Sequence, residues 1–253
     1  MNILALIFTL LVGSSFVGGS LIGFRLYKNK KVTIDFIINF LFGAMVTLIA
    51  VKLVPLILVT SVEYLGKFKG ILVCTVLAFL GYVIIKQIDL FIPHHEEIDK
   101  KHEHSCYHHH LKHVGLMLIT SVVLYNVIEG MDIFNQLSNN FSSVILQSIS
   151  YIIWNIPIGI IITYKLINLL KEKNVIIISS ILGFLVLLGG IIAFITDFSS
   201  EIILALLSSV SLGMMIYMVF CELLDQILNI EEKKNITLGL IIGILFAIIS
   251  III

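Results

Sequence analysis

Tyr125-Asn126-Val127-Ile128-Glu129-Gly130 and Trp154-Asn155-Ile156-Pro157-Ile158-Gly159 share one pattern: an aromatic residue, an asparagine, an aliphatic residue, two further residues and a glycine. Each segment lies inside a hydrophobic run long enough to cross a bilayer. Carboxylates and carboxamides are costly in hydrocarbon, and where they persist they face a bundle interior, a polar pathway or an ion site. Two consecutive spans with the same polar insertion therefore predict one shared site.

Working outward, the 253-residue chain is 59% hydrophobic and only 13% charged. That composition, broken into apolar stretches of about 20 residues, excludes a water-soluble core and predicts an all-α, polytopic integral membrane protein. Eight transmembrane helices are expected near 3-24, 33-60, 70-92, 114-134, 142-164, 174-196, 202-224 and 235-253, forming a single transmembrane domain over 1-253. The N-terminal run has no leading basic cluster, so it reads as the first span and not as a cleaved leader. Pro55 and Pro157 are expected kink sites. Cys74, Cys106 and Cys221 form no CxxC pair and imply no disulfide framework. The formal net charge is zero and selects no partner. Nucleic acid is not an expected ligand.

Orientation follows from the basic residues between spans, because such loops stay cytoplasmic. One set of alternating connections holds twelve Lys and Arg residues, among them Arg25, Lys100, Lys165 and Lys233, whereas the other holds only Lys67 and Lys69. The expectation is a cell-membrane protein with both termini outside and the 93-113 loop in the cytoplasm. The chain also repeats itself. Gly43-Ala44-Met45 precedes Lys52, and Gly213-Met214-Met215 precedes Glu222, with the charge nine positions after the glycine in both cases. The two spans cross in opposite senses, the pattern of an inverted repeat with its site near the midplane.

Asn126, Glu129 and Asp132 share one helix face, and Asn155 sits mid-span on the next helix. Oxygen donors of this kind suit hard or borderline divalent cations held weakly enough for release. The alternative is that the asparagines are interhelical glue and Glu129 pairs with a lysine. Lys52, at comparable depth, is the candidate for a Lys52–Glu129 ion pair, with snorkelling to the headgroups as the other reading. All eight histidines, His94, His95, His102, His104, His108, His109, His110 and His113, crowd into one loop with Cys106. Imidazoles at this density predict loop metal capture, while the spacing does not match a closed structural zinc site.

With these motifs in place, the chain resembles the ZIP (zinc/iron-regulated transporter-like) family of divalent metal transporters over essentially its whole length. The resemblance implies eight spans, external termini, a His-rich cytoplasmic loop between spans three and four, and a metal site on spans four and five. By that likeness Asn126, Glu129 and Asn155 would contact the ion, Met45 would be a soft contributor, and Asp132 would attract the ion from outside. This sequence departs from the family pattern where Tyr125 and Trp154 replace histidines and Ile158 replaces a glutamate. The segment 181–189 carries no acid either. Zinc preference therefore does not transfer. The expected function is movement of zinc or a related divalent ion toward the cytoplasm, without cofactor and without an enzymatic constellation. The alternatives are a non-transporting ZIP relative acting as metal sensor or interaction protein, and carriage of an organic cation stacked on the aromatic residues. Membrane lipid and divalent ions are the expected partners, with a homodimer left open.

Overall fold

The computed structural model describes residues 2–29, 34–91, 119–136, 141–167, 169–196, 200–228 and 233–252, and all regular structure among them is helical. The eight histidines of the 93-113 segment, with Cys106, lie outside the described residues. Eight helices follow in chain order among the described residues. These are α1 (Asn2–Lys28), α2 (Ile34–Leu48, continued through Ile49–Leu53 into Val54–Leu65), α3 (Lys67–Phe91) and α4 (119–136). After them come α5 (Phe141–Leu166), α6 (Glu172–Thr196), α7 (Glu201–Tyr217, continued through Met218–Leu223 into Leu224–Leu228) and α8 (Lys233–Ile252). Among the described residues six are long and apolar enough to cross a membrane, and Thr237–Ile252 of α8 is a shorter apolar helix. An α-helix rises about 1.5 Å per residue, so the 23 residues of Val144–Leu166 already exceed a hydrocarbon core of about 30 Å. Several helices run past the expected ends: α2 reaches Leu65 and α7 reaches Leu228.

In lipid, helix association draws on close packing more than on the hydrophobic effect, so small residues mark the contacts. α1 packs along α5 and α6, α2 along α8, and α3 along α7. A methyl group placed on Gly43 of α2 would lie 2.6 Å from the Leu240 carbonyl oxygen of α8, and one on Gly213 of α7 would lie 1.8 Å from that of Ala78 on α3. The same relation links Gly159 of α5 to Phe16 of α1 and Gly130 of α4 to Val186 of α6. Gly13 and Gly183 bring α1 and α6 together reciprocally. Exchanging α1 with α6, α2 with α7, α3 with α8 and α4 with α5 thus maps these contacts onto one another. That is the inverted-repeat-like arrangement expected from the sequence.

The repeat extends to local backbone. Both α2 and α7 widen into a π-helical turn, Ile49–Leu53 and Met218–Leu223, and each turn contains the charged residue that follows the repeated glycine, Lys52 and Glu222. In α2 the Val54 N–H bonds to the Ile49 carbonyl, and Pro55, which lacks an N–H, then opens the next helical segment. The wider turn absorbs the donor that proline removes. Pro157 lies within the continuous helix α5. One face of α3, with Phe68, Leu72, Val76 and Phe79, is exposed. In a membrane this stripe meets acyl chains.

Candidate functional site

The polar residues of α4 and α5 meet inside the bundle. Glu129 is 1% exposed, and the Asn155 Nδ2 donates to both of its carboxylate oxygens, at 3.2 and 3.1 Å. A carboxylate this deep needs hydrogen-bond donors, because water does not compensate the charge. Asn126 is fully buried, and its Nδ2 donates across to the Leu182 carbonyl of α6 at 3.2 Å. The Oδ1 atoms of both Asn126 and Asn155 are buried and have no hydrogen-bond partner among the described residues. Buried acceptors left open in this way are uncommon in folded proteins.

Beyond Glu129, toward the end of the bundle that carries Gly66, a cavity of about 270 Å³ is lined by Glu129, Asp132, Asn135 and Gln136 from α4, Tyr151 from α5, and Lys52 from α2. Tyr125 and residues of α7, including Glu201 and Ser208, complete its wall. Asp132 stands one turn past Glu129. A single oxygen, Oδ2, accepts from the Tyr151 hydroxyl at 2.6 Å and from the Gln147 Nε2 at 3.0 Å. Gln147 in turn reaches the Tyr151 hydroxyl at 2.8 Å, which closes a three-residue network. Asp132 and Glu129 thus both line the cavity, and Asn155 is joined to it through its hydrogen bonds to Glu129.

The structure differs from the expectations at Lys52 and at Lys165. The Lys52 ammonium does not form a direct ion pair with Glu129. It donates to the Ser150 Oγ at 3.2 Å and lies over the Tyr151 ring, 4.8 Å from its centroid. The hydroxyl and the aromatic face hold it on the cavity wall. Met45, two turns before Lys52, is wholly buried and, like Asn126 and Asn155, is not among the cavity-lining residues. Lys165, counted above with the loop cations, is 1% exposed and hydrogen-bonded to Gln226 of α7.

Tyr125 lines the cavity, whereas Trp154 and Ile158 are core residues, each at most 2% exposed. Sequence reasoning did not single out Tyr151, Gln147 or Ser150. The signal available was spacing, since Gln147, Tyr151 and Asn155 recur every four residues on one face of α5. Among the described residues no group of three or more His, Cys, Asp or Glu side chains is placed to hold a metal. The donors that converge here are carboxylate, amide and hydroxyl oxygens.

A bundle of this pairing, with a buried polar site on α4 and α5, can be set against known families. A family model described as the ZIP zinc transporter matches residues 92–252, more than half of the chain. The chain belongs to the ZIP family. No curated protein matches it. As a ZIP protein it is a membrane protein of a family that transports divalent metals, and its Tyr125-to-Gly130 and Trp154-to-Gly159 segments fall within the matched region.

Proposed function

We propose that this ZIP protein carries divalent metal cations, zinc or a related ion, across the cell membrane toward the cytoplasm by way of the Glu129 cavity. The observation that carries this reading is the line of oxygen donors from Asp132 to Glu129, backed by the unpartnered carbonyl oxygens of Asn126 and Asn155. Such a set favours hydrated, oxygen-seeking ions and holds them loosely. The basic-residue asymmetry supports external termini, with the Gly66 end outside, so the cavity mouth faces the side from which the ion arrives. Asp132 attracts the ion, Glu129 and Asn155 receive it, and movement of helix groups about this point exposes it to the other side. The His-rich segment then takes up or senses the ion in the cytoplasm.

Two features weigh against a plugged, non-transporting relative: Lys52 stands aside from Glu129, and the cavity reaches the carboxylate. Uptake of radiolabelled zinc or manganese into proteoliposomes tests the proposal. Glu129→Gln keeps the shape of the site and removes its charge, and the expected result is at least a tenfold loss of flux. Equal flux in both proteins would remove Glu129 from the mechanism.

A further inference from the structure

Among the described residues, Lys52 is the one cationic side chain on the wall of the Glu129 cavity. It is held beside the two carboxylates and does not lie across them. The Ser150 Oγ that receives its ammonium is itself anchored, donating to the Ser250 carbonyl of α8 at 2.6 Å. The Tyr151 ring beneath it is anchored as well, because its hydroxyl is engaged by Asp132. The ring that orients Asp132 therefore also fixes the position of the ammonium. The π-helical turn of Ile49–Leu53 carries this lysine, so backbone and side-chain contacts both place a positive charge at this depth.

We propose that Lys52 sets the affinity of the cavity: a built-in positive charge that keeps divalent-cation binding at Glu129 and Asp132 weak enough for release. The inference rests on the reading of this cavity as the ion path. With Glu129, Asp132 and Glu201 of the wall ionised, Lys52 lowers the charge of the cavity from three negative to two. A divalent ion entering such a site is repelled by the ammonium at protein-interior range, where unit charges a few ångströms apart interact far more strongly than in water. A ZIP site without imidazole ligands has little intrinsic grip on the ion. The lysine lowers that grip further and favours turnover over capture.

The test is a titration of the purified full-length protein with Mn²⁺. Electron paramagnetic resonance of the free ion measures binding, and fluorescence of Trp154, the single tryptophan of the chain and the neighbour of Asn155, provides a second signal. Lys52→Met is expected to bind Mn²⁺ at least tenfold more tightly, and Lys52→Arg to stay within about twofold of the unaltered protein. In proteoliposomes Lys52→Met should lower KM and maximal flux together, a split that mere loss of packing would not produce. Lys52→Gln, which can still donate to Ser150, repeats the comparison should the methionine variant fail to fold. Glu129-dependent binding in the unaltered protein with no tightening in either neutral variant overturns the role of Lys52 alone. Absence of Glu129-dependent binding in every variant overturns the cavity reading and the inference together.

Discussion

Asn155 shows how much depends on a single amide in this protein. Its two hydrogen bonds are the donors that the structure gives to the Glu129 carboxylate, and its own carbonyl oxygen is left open. Hydrogen bonds to a buried charge are worth about 1.5–3 kcal/mol each, and removing them strands the acid. Asn155→Leu should therefore destabilise the protein by about 3 kcal/mol or more, read as a lower melting temperature in detergent, and abolish Glu129-dependent uptake. Unchanged melting with normal uptake would mean that Glu129 has other support. The placing of Asn126, Glu129 and Asn155 inside the bundle was legible from the residues because amides and acids are rare in apolar spans. Tyr151 and Ser150 were not, since a tyrosine or a serine in a helix has many ordinary roles. Only the tertiary structure sets these side chains against Asp132 and Lys52.

At the scale of helices, close backbone approach organises the bundle. A Cβ on Gly213 would sit 1.8 Å from the Ala78 carbonyl oxygen, whereas one on Gly18 would meet nothing within 4 Å. The two glycines thus form a matched pair. Gly213→Ala must push α7 away from α3 and should cost about 3 kcal/mol, whereas Gly18→Ala should be neutral or stabilising by about 0.5 kcal/mol through helix propensity. Chemical denaturation of both variants in detergent checks the contrast, and equal stabilities would show that the α3–α7 contact has room to give. The repeated glycine and charge of α2 and α7 were visible in the sequence. The paired π-helical turns were not, because hydrophobic periodicity does not distinguish one wide turn from a continuous α-helix. Likewise, Lys165 looked like a loop cation until the length of α5 and its bond to Gln226 placed it inside the protein.

For the molecule as a whole, orientation and architecture are separate questions with separate tests. With Cys74, Cys106 and Cys221 replaced by serine, a cysteine at Lys67 should react with an impermeant maleimide on intact cells. One at Lys171 should react only after permeabilisation, because basic connections face the cytoplasm. The reverse pattern would invert the proposed direction of transport. Composition and the spacing of apolar runs were enough to specify an all-helical membrane protein with eight helices, since a bilayer demands helices of a set length whose backbone groups are satisfied internally. The polar insertions further singled out α4 and α5, where the structure brings Glu129 and Asn155 together, because their cost in hydrocarbon demands a reason. Which side chains then meet was decided by the tertiary packing. The seating of Lys52 on Tyr151 and Ser150 depends on how α2 lies against its neighbours, a rotation and register that no one-dimensional pattern contains.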